Sequence, residues 1–94
     1  MLTSKQRAYL RSLSNKLEPI FQIGKGGINE QLIKQVDEAL EARELIKFRV
    51  LESALVSPRA IAEEVAEATD SIVVTVIGSK VVLYRKGEKN KYGL

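Results

Sequence analysis

The residues best suited to a specific chemistry are the three glycines and one lysine of Gly24-Lys25-Gly26-Gly27. An apolar strand pattern leads into this segment, and an amphipathic helix pattern that begins at Asn29 leads out of it. Glycine permits a positive φ, and it lets a second backbone approach without a clash against Cβ. The free N–H groups and the dipole at the start of a helix favour an anion. The segment therefore predicts a phosphate-binding loop with Lys25 at its tip.

Three phosphate-binding motifs share these features to different degrees. A nucleotide P-loop places lysine after its second glycine and then Ser or Thr, whereas here the lysine precedes the second glycine. A dinucleotide fingerprint needs a third glycine where Asn29 stands, and its doubly wound fold needs a longer chain than 94 residues. The Gly-x-x-Gly loop of KH-type RNA-binding proteins, which clamps a nucleic-acid backbone, fits residues 24–27. A tight strand-to-helix turn without any ligand is the alternative that the motif leaves open.

Catalytic side chains are scarce in this chain. It contains no cysteine and no histidine, which removes thiol nucleophiles, the commonest general base and the commonest metal ligands. The carboxylates fall on the outer faces of predicted helices, where they are solvated rather than arranged for acid–base catalysis. We therefore expect a protein that is not an enzyme and uses no cofactor, metal or small-molecule substrate. An enzyme that acts on a phosphorylated small molecule is the least favoured interpretation.

The length and the hydropathy pattern limit the organisation of the chain. With 94 residues, it is expected to form a single domain over 1–94. No apolar run approaches the ~18 residues of a membrane span, and the first residues lack the apolar region of a signal peptide. The expectation is a soluble protein of the cytoplasm with no membrane partner.

The charges are segregated along the chain. Residues 1–27 carry five basic residues and one acidic residue, residues 28–70 carry five basic and ten acidic, and residues 71–94 again carry five basic and one acidic. Two basic ends around an acidic middle predict one basic face that attracts a phosphate-rich partner. We expect residues 1–16 and 80–91 to meet around the glycine loop, with the acidic residues of the third helix on another side. An ordinary solvated surface with chance clustering is the alternative.

Helix and strand signals alternate along the chain. Thr3 and Gln6 predict a capping box that begins the first helix, and Pro19 prevents that helix from continuing. The second helix begins at Asn29 as its N-cap, and the third begins at Ser57-Pro58. Strands are predicted over residues 20–23, 45–51, 71–77 and 81–85.

The order of these elements is α-β-α-β-α-β-β, which predicts an α/β fold. Strands joined through a helix should be parallel with right-handed crossovers, so the sheet is mixed and four-stranded with helices packed on it. Gly78-Ser79 fits a two-residue type II′ turn between the last two strands, which form an antiparallel hairpin. The tail at 86–94 has too little apolar content to pack and is predicted to be mobile.

The motifs together resemble the CRM domain, which is named for chloroplast RNA splicing and ribosome maturation, in its free-standing bacterial form. The resemblance covers nearly the whole chain and rests on five segments. These are Leu2-Thr3-Ser4-Lys5-Gln6-Arg7, Ile23-Gly24-Lys25-Gly26-Gly27, Glu38-Ala39-Leu40-Glu41-Ala42-Arg43-Glu44-Leu45-Ile46-Lys47, Val76-Ile77-Gly78 and Leu83-Tyr84-Arg85. It implies a fold similar to the carboxy-terminal domain of the third bacterial initiation factor. It also implies RNA binding and association with precursors of the large ribosomal subunit.

The resemblance assigns the RNA contact to the glycine loop, Gly24, Lys25, Gly26 and Gly27. Gly26 places an extra glycine inside this Gly-x-x-Gly loop, which leaves Lys25 as its only side chain. The basic residues expected to extend the contact are Lys5, Arg7, Arg11 and Arg85, with Arg7 and Arg11 on one flank of the first helix. Lys47 and Arg49 either add to this basic surface or form the solvated side of a strand.

The leading hypothesis for function is a small RNA-binding protein that takes part in assembly of the large ribosomal subunit, with ribosomal RNA as its partner. The chain has no pair of surface aromatics like those with which an RRM stacks bases, so recognition is expected to depend on backbone phosphates. The alternative is a protein-interaction module that uses its acidic helix face.

Overall fold

Each of the three α-helices begins at the capping residue that the sequence predicts. In the computed structural model, which describes residues 2–94, the Gln6 N–H donates to Thr3 Oγ1 at 3.1 Å, and Gln6 Oε1 accepts from the Thr3 N–H at 3.0 Å. Asn29 Oδ1 accepts from the Leu32 N–H at 2.9 Å, and Ser57 Oγ accepts from the Ala60 N–H at 3.1 Å. These bonds satisfy N–H groups that have no partner inside the helix.

The order of elements is α-β-α-β-α-β-β, as predicted, with one short 3₁₀ helix added. The helices are α1 (Ser4–Ser14), α2 (Glu30–Arg43) and α3 (Pro58–Thr69), and the 3₁₀ helix η1 covers Glu52–Ala54. The strands are β1 (Gln22–Ile23), β2 (Leu45–Val50), β3 (Ile72–Ile77) and β4 (Lys80–Tyr84). None of the helices in the described part of the chain is long and apolar enough to cross a membrane.

The four strands form one mixed sheet in the order β1-β2-β4-β3. β1 pairs with β2 in parallel, and β4 runs antiparallel to both of its neighbours. β3 and β4 form the predicted hairpin, in which Ile77 pairs with Lys80 across a two-residue turn and Gly78 has a φ of 59°. β1 is shorter than predicted. The Ile20 N–H still donates to Lys47 O at 2.9 Å and Phe21 O accepts from the Arg49 N–H at 3.1 Å, but regular pairing with β2 is confined to Gln22 and Ile23.

The sheet is covered on both faces, but unequally. α2 and α3 pack on one face, where Ile46, Phe48 and Val50 join Val81 and Leu83 in the main core. α1 packs on the other face through Leu10, above a smaller cluster of Leu45, Val74, Val82 and Tyr84. α1 therefore covers only part of its face, and the rest of that face stays open.

The tail packs against the domain, and the prediction that residues 86–94 lack the apolar content to do so is wrong. Tyr92 and Leu94 lie against the smaller cluster, and the Tyr92 ring meets the Tyr84 ring edge-on at 6.3 Å between centroids. The Lys91 N–H donates to both carboxylate oxygens of the buried Glu44, at 3.1 and 3.2 Å. Two apolar side chains and one buried carboxylate are sufficient to dock a segment that is otherwise polar.

Candidate nucleic-acid interface

The glycine loop is a β-turn that presents Lys25 to solvent. The Gly27 N–H donates to Gly24 O at 2.8 Å, so Lys25 and Gly26 are the two central residues, and both are exposed. Gly27 then has a φ of 60°, a conformation that glycine permits, and turns the chain toward the Asn29 cap of α2. Lys25 therefore lies at the tip of an exposed turn that leads into the N-terminus of α2.

The three glycines are present for different physical reasons. A Cβ on Gly24 would lie 3.2 Å from Ser53 Oγ and 3.5 Å from Leu51 Cδ1, so the loop is packed tightly on the segment that follows β2. Gly27 requires glycine for its backbone conformation alone, because a Cβ there would meet no atom within 4 Å. Gly26 is required for neither reason, since its φ is not positive and the nearest atom to its Cβ position is Asn29 Nδ2 at 3.8 Å. The absent side chain at Gly26 leaves the outer surface of the loop open to another backbone.

An open cleft of about 280 Å³ adjoins the loop on the side of β1 and α2. The residues that line it include three glycines of the loop and three glutamines, Gln22, Gln31 and Gln35. An amide both donates and accepts hydrogen bonds, so this cleft suits uncharged polar groups such as a ribose hydroxyl or a base edge. These glutamines were not among the predicted contact residues, although the i,i+4 spacing of Gln31 and Gln35 places both on one face of the helix that follows the loop.

A row of side chains crosses all four strands beside the glycine loop, on the part of the sheet that α1 leaves open. In this exposed row, Gln22 pairs with Arg49, Arg49 with Lys80, and Lys80 with Ile77, and all four side chains are exposed. Partners on neighbouring strands lie about 5 Å apart, so the two cations are adjacent. Arg49 therefore extends a basic surface, as one of the two sequence interpretations proposed.

Lys47 does not join this surface, although it shares the sheet face of Arg49. Its Nζ donates to Ser14 O at 3.2 Å and to Leu17 O at 3.3 Å. These carbonyls lie at the end of α1, where a cation is favourable for the helix dipole. Lys47 thus fixes α1 on the sheet.

Two of the predicted contact residues are held in structural hydrogen bonds. The Arg7 guanidinium donates to the carbonyls of Val73 and Val74 and so ties α1 to β3. The Arg85 guanidinium donates to Asp37 Oδ1 at 2.7 Å and to Thr69 O at 2.8 Å, so it links α2 to the end of α3. Both arginines have roles that sequence analysis did not anticipate.

The strand directions separate the basic ends from the glycine loop. β4 begins at Lys80 beside the loop and ends at Tyr84, and the Arg85 N–H then donates to Glu44 O before the start of β2. Five residues of strand place Arg85 about 16 Å from Lys80. We call this the far end of the sheet.

The first turn of α1 also lies at the far end, because Leu2 and Gln6 line one cavity together with Arg85. The basic ends of the chain therefore do meet, but away from Lys25. The prediction that Lys5, Arg7, Arg85 and the tail lysines surround the loop is wrong. The direction of β4 places Arg85 at the far end of the sheet, and this direction was not part of the prediction. Of residues 80–91, Lys80 is the basic residue beside the loop, while Arg11 lies in the last turn of α1.

The acidic residues of α3 lie apart from this surface. Glu63, Glu64 and Glu67 are exposed on α3, which packs on the sheet face opposite α1. Among residues 2–94, no group of three or more acidic side chains is placed so that it could hold a metal ion.

Comparisons with known proteins agree with this description of the fold. A family model described as the CRS1 / YhbY (CRM) domain matches residues 2–85. The chain is 48% identical over 91 residues to YqeI of Bacillus subtilis, whose name is "Probable RNA-binding protein", covering 97% of this chain and 95% of that one. It is 42% identical over 89 residues to MJ0652 of Methanocaldococcus jannaschii, also named "Probable RNA-binding protein", covering 93% and 66%.

A solved structure shares the fold as well. The solution structure of the hypothetical protein SAV1595 from Staphylococcus aureus is similar to this one with a TM-score of 0.78 and 53% sequence identity. The match covers 97% of this chain and 95% of the other. The α/β fold with a mixed four-stranded sheet is therefore confirmed.

Proposed function

The chain belongs to the CRS1/YhbY (CRM) domain family, and from this premise we propose that it binds RNA through the glycine loop and the exposed row. The observation that carries the proposal is the geometry of Gly24–Gly27. The turn places Lys25 at its tip, and it leaves the backbone at Gly26 without a side chain although packing does not require glycine there. Relatives that are named RNA-binding proteins support RNA as the partner.

The site is built for backbone phosphates more than for base stacking. Phe21 and Phe48 stack on each other at 5.3 Å, and Tyr84 and Tyr92 pack together at the far end of the sheet. The cations beside the loop are Lys25, Arg49 and Lys80, which can each neutralise a phosphate along one strand. Arg11, in the last turn of α1, is the one residue of the predicted α1 pair that we include in the contact.

The RNA that we propose is ribosomal RNA in precursors of the large ribosomal subunit, in the cytoplasm. This assignment is supported by the resemblance of the chain to the free-standing bacterial form of the domain. The role is binding during assembly, without catalysis. Crosslinking in cells followed by sequencing of the bound RNA tests it, and the expected result is enrichment of large-subunit ribosomal RNA. Enrichment of messenger or transfer RNA alone would contradict this assignment.

The contact surface can be mapped by NMR with an unstructured 12-nucleotide RNA. We expect amide shifts at Gly24–Gly27 and along the exposed row, and none on the outer face of α3. Shifts confined to the acidic faces of α2 and α3, or no binding of RNA at all, would favour the protein-interaction module instead.

A further inference from the structure

Leu55 has an unusual combination of conformation and exposure. It ends η1 with φ 59° and ψ 17°, the left-handed region, and its side chain is 92% exposed. Four non-glycine residues of the described chain have a positive φ, and Leu55 is the exposed apolar one among them. Glycine or asparagine would adopt this conformation at lower cost, and burial gives no compensation here. Non-glycine residues with such strained backbone conformations are concentrated at active sites and ligand-binding sites.

Leu55 forms one wall of an open cleft of about 340 Å³ between the segment after β2 and the hairpin turn. Val56, which is 47% exposed, and Leu51 add apolar surface to the wall, while Gly78 and Ser79 form the opposite side. The Val50 N–H donates to Ser79 O at 2.7 Å and holds the two sides together. The cleft is thus preformed, apolar on one side and open to solvent.

The cleft is continuous with the glycine loop. The Leu51 N–H donates to Ile23 O at 2.8 Å, and the Leu51 side chain lies 3.5 Å from the Cβ position of Gly24. Leu51 therefore lines the cleft and also supports the loop. The cleft therefore lies between the glycine loop and the hairpin turn that precedes Lys80.

The chemistry of the cleft selects the uncharged part of a nucleotide. Glu52 lies on its rim with an exposed carboxylate, which repels a phosphate. A base has apolar faces, and these are accessible to a side chain only when the base is unpaired and unstacked. We propose that this cleft, with Leu55 as its main contact, receives an unpaired base next to the backbone held by the glycine loop. This inference rests on the proposed function and adds a preference for single-stranded RNA.

The test compares Leu55→Gly with Leu55→Met on two RNA probes, an unstructured 12-nucleotide strand and a 16-base-pair duplex. Glycine fits the positive φ, so the fold is retained, and urea unfolding checks this. We expect Leu55→Gly to raise the Kd for the single strand about fivefold. This corresponds to losing roughly half of the free energy gained when a leucine side chain is buried. The duplex affinity and the salt dependence should not change, because no phosphate contact is removed. Leu55→Met should bind as the unaltered protein does.

An abasic scan of the 12-nucleotide strand locates the contact. Where the missing base is the one that enters the cleft, Leu55→Gly should have no additional effect. An effect of Leu55→Gly that is the same at every abasic position, or equal for strand and duplex, would overturn the inference. Normal RNA affinity in Leu55→Gly together with loss of a protein partner would overturn it as well.

Failure of this inference can be distinguished from failure of the proposed function by a parallel variant. If Lys25→Glu weakens binding and Leu55→Gly does not, the loop binds RNA and the cleft does not receive a base. If Lys25→Glu leaves binding unchanged, the glycine loop is not the contact and the inference fails with it.

Discussion

Replacing Gly27 tests the loop geometry most sharply, because the structure isolates a single physical cost. A Cβ at Gly27 meets no atom within 4 Å, so Gly27→Ala creates no clash and adds only the strain of a positive φ. That strain is about 1–2 kcal/mol for an L-residue in the left-handed region. Gly27→Val adds the restricted χ1 of a β-branched side chain, and the total cost is expected to reach about 3 kcal/mol.

Gly26→Ala is the matched control in the same turn. Its φ is not positive, and its new Cβ would lie 3.8 Å from Asn29 Nδ2, an ordinary contact. We expect its free energy of unfolding to stay within about 0.5 kcal/mol of the unaltered protein. Urea denaturation gives both values, and thermal melting should show a decrease of about 4–8 °C per kcal/mol for Gly27→Ala.

A larger side chain at Gly26 separates the effect on folding from the effect on binding. Gly26→Val should keep the fold and weaken RNA binding, because its side chain would occupy the open outer surface of the loop. If Gly27→Ala were as stable as Gly26→Ala, the left-handed conformation at Gly27 would not exist in solution, and the reasoning about the turn would be refuted.

Three further predictions concern the cation at the tip, one anchor and one buried hydroxyl. Lys25→Glu should weaken RNA binding by about an order of magnitude with an unchanged circular dichroism spectrum, while Lys86→Glu, at the far end, should change binding little. Arg7→Ala should lower the free energy of unfolding by about 2 kcal/mol, because two backbone carbonyls lose a charged donor, whereas Lys5→Ala should lower it by less than about 0.5 kcal/mol in the same urea titration. Burial, with the nearby Glu44 carboxylate, raises the pKa of the Tyr84 phenol above 10.0. The contribution of the protonated phenol to the free energy of unfolding is therefore fully present below pH 10, and it is lost as the pH rises through the pKa of Tyr84 in the folded protein. Tyr84→Phe should flatten that alkaline loss in unfolding curves measured from pH 8 to 11; at pH 7 it should change stability by less than about 1 kcal/mol, since the hydroxyl has no hydrogen-bond partner among the described residues.

Local signals were sufficient to predict the elements. The caps at Thr3, Asn29 and Ser57, and the glycine turn at Gly78, depend on residues within three or four positions of each other. Such short-range chemistry is readable from a sequence because it does not depend on how distant segments pack. The glycine loop was found for the same reason.

Long-range geometry was not predictable in this way. Basic residues lie near Arg85 and near Lys25 in the sequence, but their positions in the sequence do not show at which end of the sheet each of these groups lies. Because the strand order is β1-β2-β4-β3 and β4 is antiparallel to its neighbours, Lys80 lies beside the loop and Arg85 lies at the far end of the sheet, next to Glu44. The pairing of Arg49 with Lys80 is likewise a matter of register between strands that are about 30 residues apart in the chain.

The docking of the tail also depends on a long-range contact. Its apolar content is low, as the sequence indicates, but the buried Glu44 carboxylate receives the Lys91 N–H. Glu44 lies between the end of α2 and the start of β2, and nothing in the sequence indicates that this acidic residue is only 1% exposed. Burial of a charged group is uncommon, so composition alone favoured a segment that does not pack.

The salt dependence of RNA affinity tests the central claim most directly. The Kd for an unstructured 12-nucleotide RNA is measured between 50 and 300 mM salt for the unaltered protein, for Lys25→Ala and for Lys86→Ala. If the glycine loop holds a phosphate, the slope of log K against log salt should decrease by about 0.7 in Lys25→Ala and stay unchanged in Lys86→Ala. Equal slopes for all three proteins, or a larger decrease in Lys86→Ala, would contradict an RNA contact at the glycine loop.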